Sequence, residues 1–136
     1  KAQQYIEMME QASLLKIVLP YGANVTPEPK IMLVPAIRMN LAQGVDDDRL
    51  TGAMREEFFI HHIIGAGLTV NYLKSMRGQK LPDYMLFFKD QKLIIEIGGA
   101  GKGASQFKGI EGKEKLILTQ PGSPNGIPLI LFGFLW

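Results

Sequence analysis

Hydrophobic and polar positions in the second half of the chain predict a β-hairpin. Two short apolar runs, Tyr84–Phe88 and residues 93–97, flank the polar residues 89–92, and this pattern is typical of two antiparallel strands joined by a turn. Glu96 is the charged residue of the second run. A carboxylate in a buried strand is costly unless it is paired, protonated or bound to a metal. Glu96 is therefore a candidate site residue, although alternation along a strand also allows it to point to solvent with Ile94.

A second pattern, over residues 49–64, has the spacing of a helix. Its apolar positions lie nearly all round the helix, which predicts burial against the sheet; they are Phe58, Phe59, Ile60, Ile63 and Ile64. The three acids at 46–48 are predicted to cap this helix and to supply charge to its first turn.

Two acids and two histidines lie on this predicted helix. Glu56 shares a face with Phe59, Ile60 and Ile63, whereas Glu57 shares one with Ile60, His61 and Ile64. His61 and His62 are neighbours and point about 100° apart. We therefore predict packed or surface histidines rather than a metal pair.

The remaining patterns complete an α/β (α+β) element order. We predict a helix at the start of the chain, strands on either side of a proline-containing loop, one or two helical turns, and then a sheet with a second helix. The predicted helical segments are 2–15, 35–43 and 105–111. The predicted strands are 16–21, 30–34, 68–75, 115–119 and 128–134. The first part, 1–45, is interpreted either as winged-helix-type linking elements before a domain at 46–136, or as outer elements of one fold.

The composition limits which classes of protein this chain can belong to. The chain has 136 residues, 46% of them hydrophobic, which suits one packed domain or one domain with a fragment of another. Its net charge of +2 is too balanced to indicate nucleic-acid binding by itself. It has no cysteine and no apolar run of about 20 residues. We expect a cytoplasmic piece of a longer protein, without a signal peptide or a membrane partner.

Two acids suggest metal chemistry. Asp83 follows Pro82 at the start of one predicted strand, and Glu96 lies near the end of the next, so the hairpin should place both carboxylates on neighbouring strands. The alternative is that Asp83 is a turn residue after Pro82. Carboxylate oxygens held in this way suit Mg²⁺. The glycine-rich stretch at 98–103 fits neither a Walker A loop nor a dinucleotide fingerprint, because its glycines have the wrong spacing.

Several short motifs resemble one known family. The chain is similar, over residues 14–136, to the uncharacterised C-terminal domain that follows the AAA-type module in many prokaryotic ATPases, and its core resembles the PD-(D/E)XK nucleases. The similar segments are 55–59 (REEFF), 82–84 (PDY), 95–99 (IEIGG), 102–103 (KG), 106–110 (QFKGI), 127–129 (IPL) and 132–134 (FGF).

This resemblance implies a restriction-endonuclease-like mixed sheet of about five strands, flanked by helices. It implies that Glu56, Asp83 and Glu96 hold Mg²⁺ or Mn²⁺. The nuclease pattern has a lysine two positions after the second acid, where this chain has Gly98; Lys102, or Lys108 in its place, could supply the amine.

Two functions are compared on this basis. The first is a metal-dependent phosphodiesterase, a DNA endonuclease with a displaced lysine. The second, which the missing lysine favours, is a non-catalytic module that docks an ATPase to DNA or protein. The resemblance places ATP binding in the upstream ATPase module, which is the expected partner within the same protein. The apolar residues 129–136 are predicted to be either a buried strand or a surface for homo-oligomers.

Overall fold

The computed structural model describes residues 1–22, 28–43, 48–74, 81–98, 107, 114–124 and 126–135. Its helices are α1 (Ala2–Gln11), α2 (Pro35–Leu41), α3 (Asp48–Gly65) and a 3₁₀ helix (Leu129–Phe134). Its strands are β1 (Leu15–Val18), β2 (Lys30–Leu33), β3 (Thr69–Tyr72), β4 (Tyr84–Phe88), β5 (Gln91–Ile97), β6 (Glu114–Thr119) and β7 (Ile127–Pro128).

The main sheet has five strands in the order β3-β4-β5-β6-β7. The β3–β4 and β4–β5 pairs are antiparallel, and the β5–β6 and β6–β7 pairs are parallel. The predicted mixed sheet of about five strands, with its central hairpin, is therefore confirmed. The hairpin turn is tighter than the sequence suggested. Phe88 pairs with Gln91, and Lys89 takes a positive φ of 53° to close the turn.

One face of this sheet is covered by α3. The helix contributes Phe59, Ile60 and Ile63, each 0% exposed, to the main core cluster. From the sheet come alternate residues of each strand, which include Tyr84, Leu86, Leu93, Ile95, Ile97 and Leu118. The predicted helix over 49–64 is confirmed, and it begins at Asp48, which places one acid in its first turn.

The opposite face carries a smaller cluster. Met85, Ile94 and Phe107 are buried together there, and Tyr21 and Phe87 pack beside them. Because Ile94 lies between Leu93 and Ile95 on β5, alternation along that strand divides the two clusters.

The β1–β2 hairpin joins the main core from the side. Val18 and Met32 belong to the same cluster as Phe59. Beyond β1, Pro20 bridges to Tyr72 at the edge of β3, and Tyr72 exchanges backbone hydrogen bonds with Leu19 and Tyr21. The winged-helix interpretation and the division after residue 45 stay predictions.

The predicted strand over 128–134 is wrong. Its first residue belongs to the short β7, and the rest forms the 3₁₀ helix. A 3₁₀ helix has three residues per turn, so Leu129 and Phe132 share the side that faces α3, where the Phe132 ring meets Phe59 edge-on at 5.4 Å. Apolar residues between them are exposed, with Ile130 55% and Leu131 52% accessible.

Some predictions lie outside the described residues. They concern Asp46, Asp47, Lys102, Lys108, Trp136 and the helix over 105–111 except for Phe107. None of the helices within the described ranges is long and apolar enough to cross a membrane.

Candidate functional site

Glu57 is a structural acid. Its side chain is 1% exposed, and it forms a two-pronged ion pair with Arg38 of α2, with Nε–Oε2 and Nη2–Oε1 distances of 2.6 and 2.5 Å. The backbone N–H of Leu33 donates to the same carboxylate at 3.0 Å. Planar guanidinium and carboxylate groups match well in this arrangement. Glu57 thus fastens β2 and α2 to α3.

Glu56, the residue before Glu57, faces the start of β4. The hydroxyl of Tyr84 donates to its Oε2 at 2.5 Å, and the ammonium of Lys30 lies 3.6 Å from that same oxygen. The Glu56 side chain is 32% exposed. Of the adjacent acids Glu56 and Glu57, Glu56 is therefore the one that reaches Tyr84 of β4, the residue after Asp83.

The phenol of Tyr84 lies within the electrostatic influence of both Glu56 and Asp83. Burial raises the pKa of Tyr84 well above its usual range, and the negative charges of Glu56 and Asp83 raise it further. A buried phenol beside carboxylates resists ionisation because its anion would be both desolvated and repelled. Tyr84 consequently acts as a hydrogen-bond donor to Glu56 at ordinary pH.

Asp83 ties three neighbouring strands together at their ends. Its carboxylate Oδ2 accepts the backbone N–H of Ile97 at 2.8 Å. Its own N–H donates to the Ile95 carbonyl at 3.1 Å, and its carbonyl accepts the N–H of Leu73 at 2.9 Å. The backbone position of Asp83 is fixed by these bonds to β5 and to the end of β3.

Glu96 is buried in the central strand. It is 1% exposed, and alternation places it on the face of Ile94 rather than on the face of Ile95. The alternative in which Glu96 points to solvent is wrong, because both faces of β5 are packed at this position. Two residues further on, Gly98 is buried and its N–H donates to the carbonyl of Leu118 at 2.9 Å.

Lys30 is the site residue that sequence reasoning missed. Its ammonium lies 5.2 Å from the ring centroid of Tyr72 and 5.2 Å from that of Tyr84, besides its contact with Glu56. It also lines two neighbouring cavities, one of about 290 Å³ shared with Asp83 and one of about 190 Å³ shared with Glu56. Lys30 lies far from the acids in sequence, so only the docking of β2 on α3 reveals its role.

These contacts bear on the expected metal. The Oε2 atom of Glu56 already accepts the Tyr84 hydroxyl and lies near the Lys30 ammonium, so a divalent ion would compete with both for this oxygen. Within the described ranges, which contain Glu56, Asp83 and Glu96, no group of three or more His, Cys, Asp or Glu side chains is arranged to hold a metal ion. The Mg²⁺ or Mn²⁺ site remains a prediction, as do the roles of Lys102 and Lys108.

The histidines of α3 are packed, as predicted. His61 Nε2 lies 3.1 Å from the carbonyl of Met32, and His62 Nδ1 lies 2.7 Å from the carbonyl of Phe58. Burial lowers the pKa of His61, more than the hydrogen bond to Met32 raises it. The His61 side chain therefore holds β2 to α3, whereas the His62 side chain bonds within α3 itself.

Comparison of the chain with protein-family models, with curated proteins and with solved structures gives no match.

Proposed function

We propose that this chain is a nuclease-like domain that does not cleave nucleic acid, and that it serves as an interaction module of an AAA-type ATPase. The observation that carries this proposal is the Lys30 ammonium at 3.6 Å from Glu56. In this reading, the amine compensates the charge of the α3 acid from within the fold, and ATP binds in the upstream module of the same protein.

The contacts of Glu56 support this role. A divalent ion bound through Oε2 of Glu56 would have to displace Lys30 and compete with the Tyr84 hydroxyl. An exposed ion pair contributes only about 0–1 kcal/mol to stability, but Lys30 is also held over two tyrosine rings. Cation–π contacts add to the preference of an ammonium for this position.

Gly98 supports it as well. A nuclease of the resembled kind places an amine at this position, where glycine supplies none. The N–H of Gly98 instead extends the β5–β6 pairing through Leu118. The position is used to continue the sheet.

Titration calorimetry with Mg²⁺ and Mn²⁺ tests the proposal, with wild type compared with Glu56→Gln and Glu96→Ala. We expect that any heat measured on addition of metal is the same in wild type and in both variants. Incubation of plasmid and linear DNA with either ion should leave the substrates intact. Saturable metal binding and DNA cleavage by wild type, both lost in Glu56→Gln, would refute the proposal.

The second candidate function is the metal-dependent phosphodiesterase. One observation favours it: Lys30 and Asp83 line the same cavity, so that an amine and an acid share one opening. The cleavage assay separates the sources of this amine. Wild-type cleavage that Lys30→Met abolishes would identify Lys30, whereas loss in Lys102→Ala or Lys108→Ala would identify the displaced lysine expected from the sequence.

A further inference from the structure

The sheet face opposite α3 brings aromatic and basic side chains together. Phe87 of β4 and Lys92 of β5 are cross-strand partners, and Tyr21 packs against Phe87 with ring centroids 6.0 Å apart. The Lys92 ammonium lies 5.7 Å from the Tyr21 ring centroid and 5.9 Å from that of Phe87. We call Tyr21, Phe87 and Lys92 the aromatic–lysine patch.

Tyr21 is distant in sequence from Phe87 and Lys92, and the pattern of the chain does not indicate that the three side chains lie together. Tyr21 lies after β1 in the connection to β2, and its backbone N–H donates to the carbonyl of Tyr72 at 2.8 Å. This bond holds Tyr21 beside the β3 edge, within reach of β4. The patch is thus built on backbone that the sheet fixes, with Tyr21 and Phe87 both partly exposed.

The strands of the main sheet carry exposed basic side chains on the face of the patch. Lys115 of β6 pairs with Ile94 and so shares the face of the aromatic–lysine patch, whereas Glu114 pairs with Leu93 and belongs to the α3 face. Among the described residues of β3–β6, the exposed charged side chains on the patch face are Lys92 and Lys115. Glu96 lies on this face but is 1% exposed.

We propose that this face binds single-stranded nucleic acid, with bases stacked on Tyr21 and Phe87 and phosphates contacted by Lys92 and Lys115. This inference rests on the interaction role proposed above and names the partner of that module. Sheet faces that present aromatic rings beside basic side chains suit unpaired bases, since every base offers a π-face and every linkage a negative charge.

The combination of rings and lysines favours this partner. An acidic peptide would engage the lysines but would leave the rings without a role. A duplex would present phosphates, yet its bases are stacked on one another and cannot reach the rings. Lys92 is exposed, and its contacts with the rings and with the Tyr21 hydroxyl, at 3.2 Å, leave it on the surface where a phosphate would approach.

Fluorescence anisotropy with labelled oligo(dT) and oligo(U) of about 15 nucleotides, and with a duplex of the same length, tests the proposal. The measurement is made in EDTA, so that cleavage cannot interfere, at low salt for the comparison of variants and over a series of salt concentrations for the slope. Phe87→Leu keeps apolar packing and removes the ring. Its matched control is Phe88→Leu, the next residue along β4, whose side chain alternates to the other face and is 40% exposed.

We expect wild type to bind the single strands more tightly than the duplex. Phe87→Leu should weaken single-strand binding about ten-fold, because stacking on one aromatic side chain is worth roughly that much, and Phe88→Leu should bind like wild type. Lys92→Gln should lower the slope of log affinity against log salt by about 0.7, the value for one phosphate contact on a single strand. Circular dichroism checks that each variant is folded.

Absence of saturable single-strand binding, equal affinity for the duplex, or equal effects of Phe87→Leu and Phe88→Leu would overturn the inference. A difference between the dT and U arms identifies DNA or RNA as the preferred strand. Failure here leaves the non-catalytic role intact, because that role is refuted by cleavage in the presence of Mg²⁺ or Mn²⁺ and not by a binding result in EDTA.

Discussion

Removal of the Arg38 guanidinium should destabilise the fold, because it leaves the buried carboxylate of Glu57 without a counter-ion. Glu57 is 1% exposed, and Arg38 contacts both of its oxygens. In Arg38→Met, the buried carboxylate keeps the N–H of Leu33 but loses its counter-ion. Breaking a buried pair from one side costs about 3–5 kcal/mol. Because the Arg38 side chain is 30% exposed, water can reach the vacated position, and we expect the lower end, about 3 kcal/mol.

Urea unfolding measures this loss. With a slope of about 2 kcal/mol per molar urea, a loss of about 3 kcal/mol in the free energy of unfolding lowers the midpoint by about 1.5 M. The matched control is Arg55→Met, which removes an exposed hydrogen bond to Gln120 at 3.2 Å. A surface change of this kind should stay within about 0.5 kcal/mol.

The double variant Arg38→Met/Glu57→Gln identifies the cause. It removes both charges and retains an amide oxygen that can accept the Leu33 N–H, so at least half of the lost stability should return. An Arg38→Met variant as stable as Arg55→Met would refute the expected cost of leaving Glu57 unpaired. So would a double variant no better than Arg38→Met, since the loss would then come from α2 packing rather than from an unpaired acid.

Three further results are expected. Tyr84→Phe should lower the free energy of unfolding by about 1.5–3 kcal/mol, the contribution of a hydrogen bond to a charged group. Because the folded pKa of Tyr84 is raised, the stability of wild type should also fall above about pH 10. Urea midpoints measured across that pH range should fall less in the variant than in wild type. Acidification below about pH 6.5 should destabilise wild type, because the folded pKa of His61 is lowered and the unfolded chain takes up the proton first; His61→Gln should reduce this dependence, and an unchanged profile would contradict it. Gly133→Ala should lower the thermal midpoint slightly, since the added Cβ would lie 3.3 Å from the Phe58 ring, and a rise would show that the ring yields without cost.

The elements that could be predicted from sequence are those with a clear local pattern of apolar and polar residues. The helix α3 and the β4–β5 hairpin carry long apolar patterns with clear ends, and both were found with nearly the observed bounds. The residues after Pro128 were misassigned because a run of apolar side chains gives no periodicity. Only the contact of Phe132 with Phe59 shows that a three-residue turn, rather than a strand, is the better packed form.

The candidate site was predictable in part. The apolar neighbours of Glu96 indicated a buried strand but left open whether its side chain points to solvent, and the resemblance to nuclease motifs pointed to Glu56 and Asp83. The partners of these acids were not predictable, since Lys30 lies on a separate hairpin and reaches Glu56 only through tertiary packing. No local pattern encodes such a long-range contact.

The order of pairing in the sheet has a consequence for folding and solubility. The β4–β5 hairpin closes through a two-residue turn, whereas β6 must return to β5 across the segment between Ile97 and Glu114. Local pairings form sooner than distant ones, so the β6-facing edge of β5 should be uncovered for a time during folding. That edge presents Leu93–Ile97, an apolar strand of the kind that associates with its own copies, and Glu96 is the one charge within it. A carboxylate there hinders stacking of like strands, so Glu96 should protect the folding chain from aggregation even if it never binds a ligand.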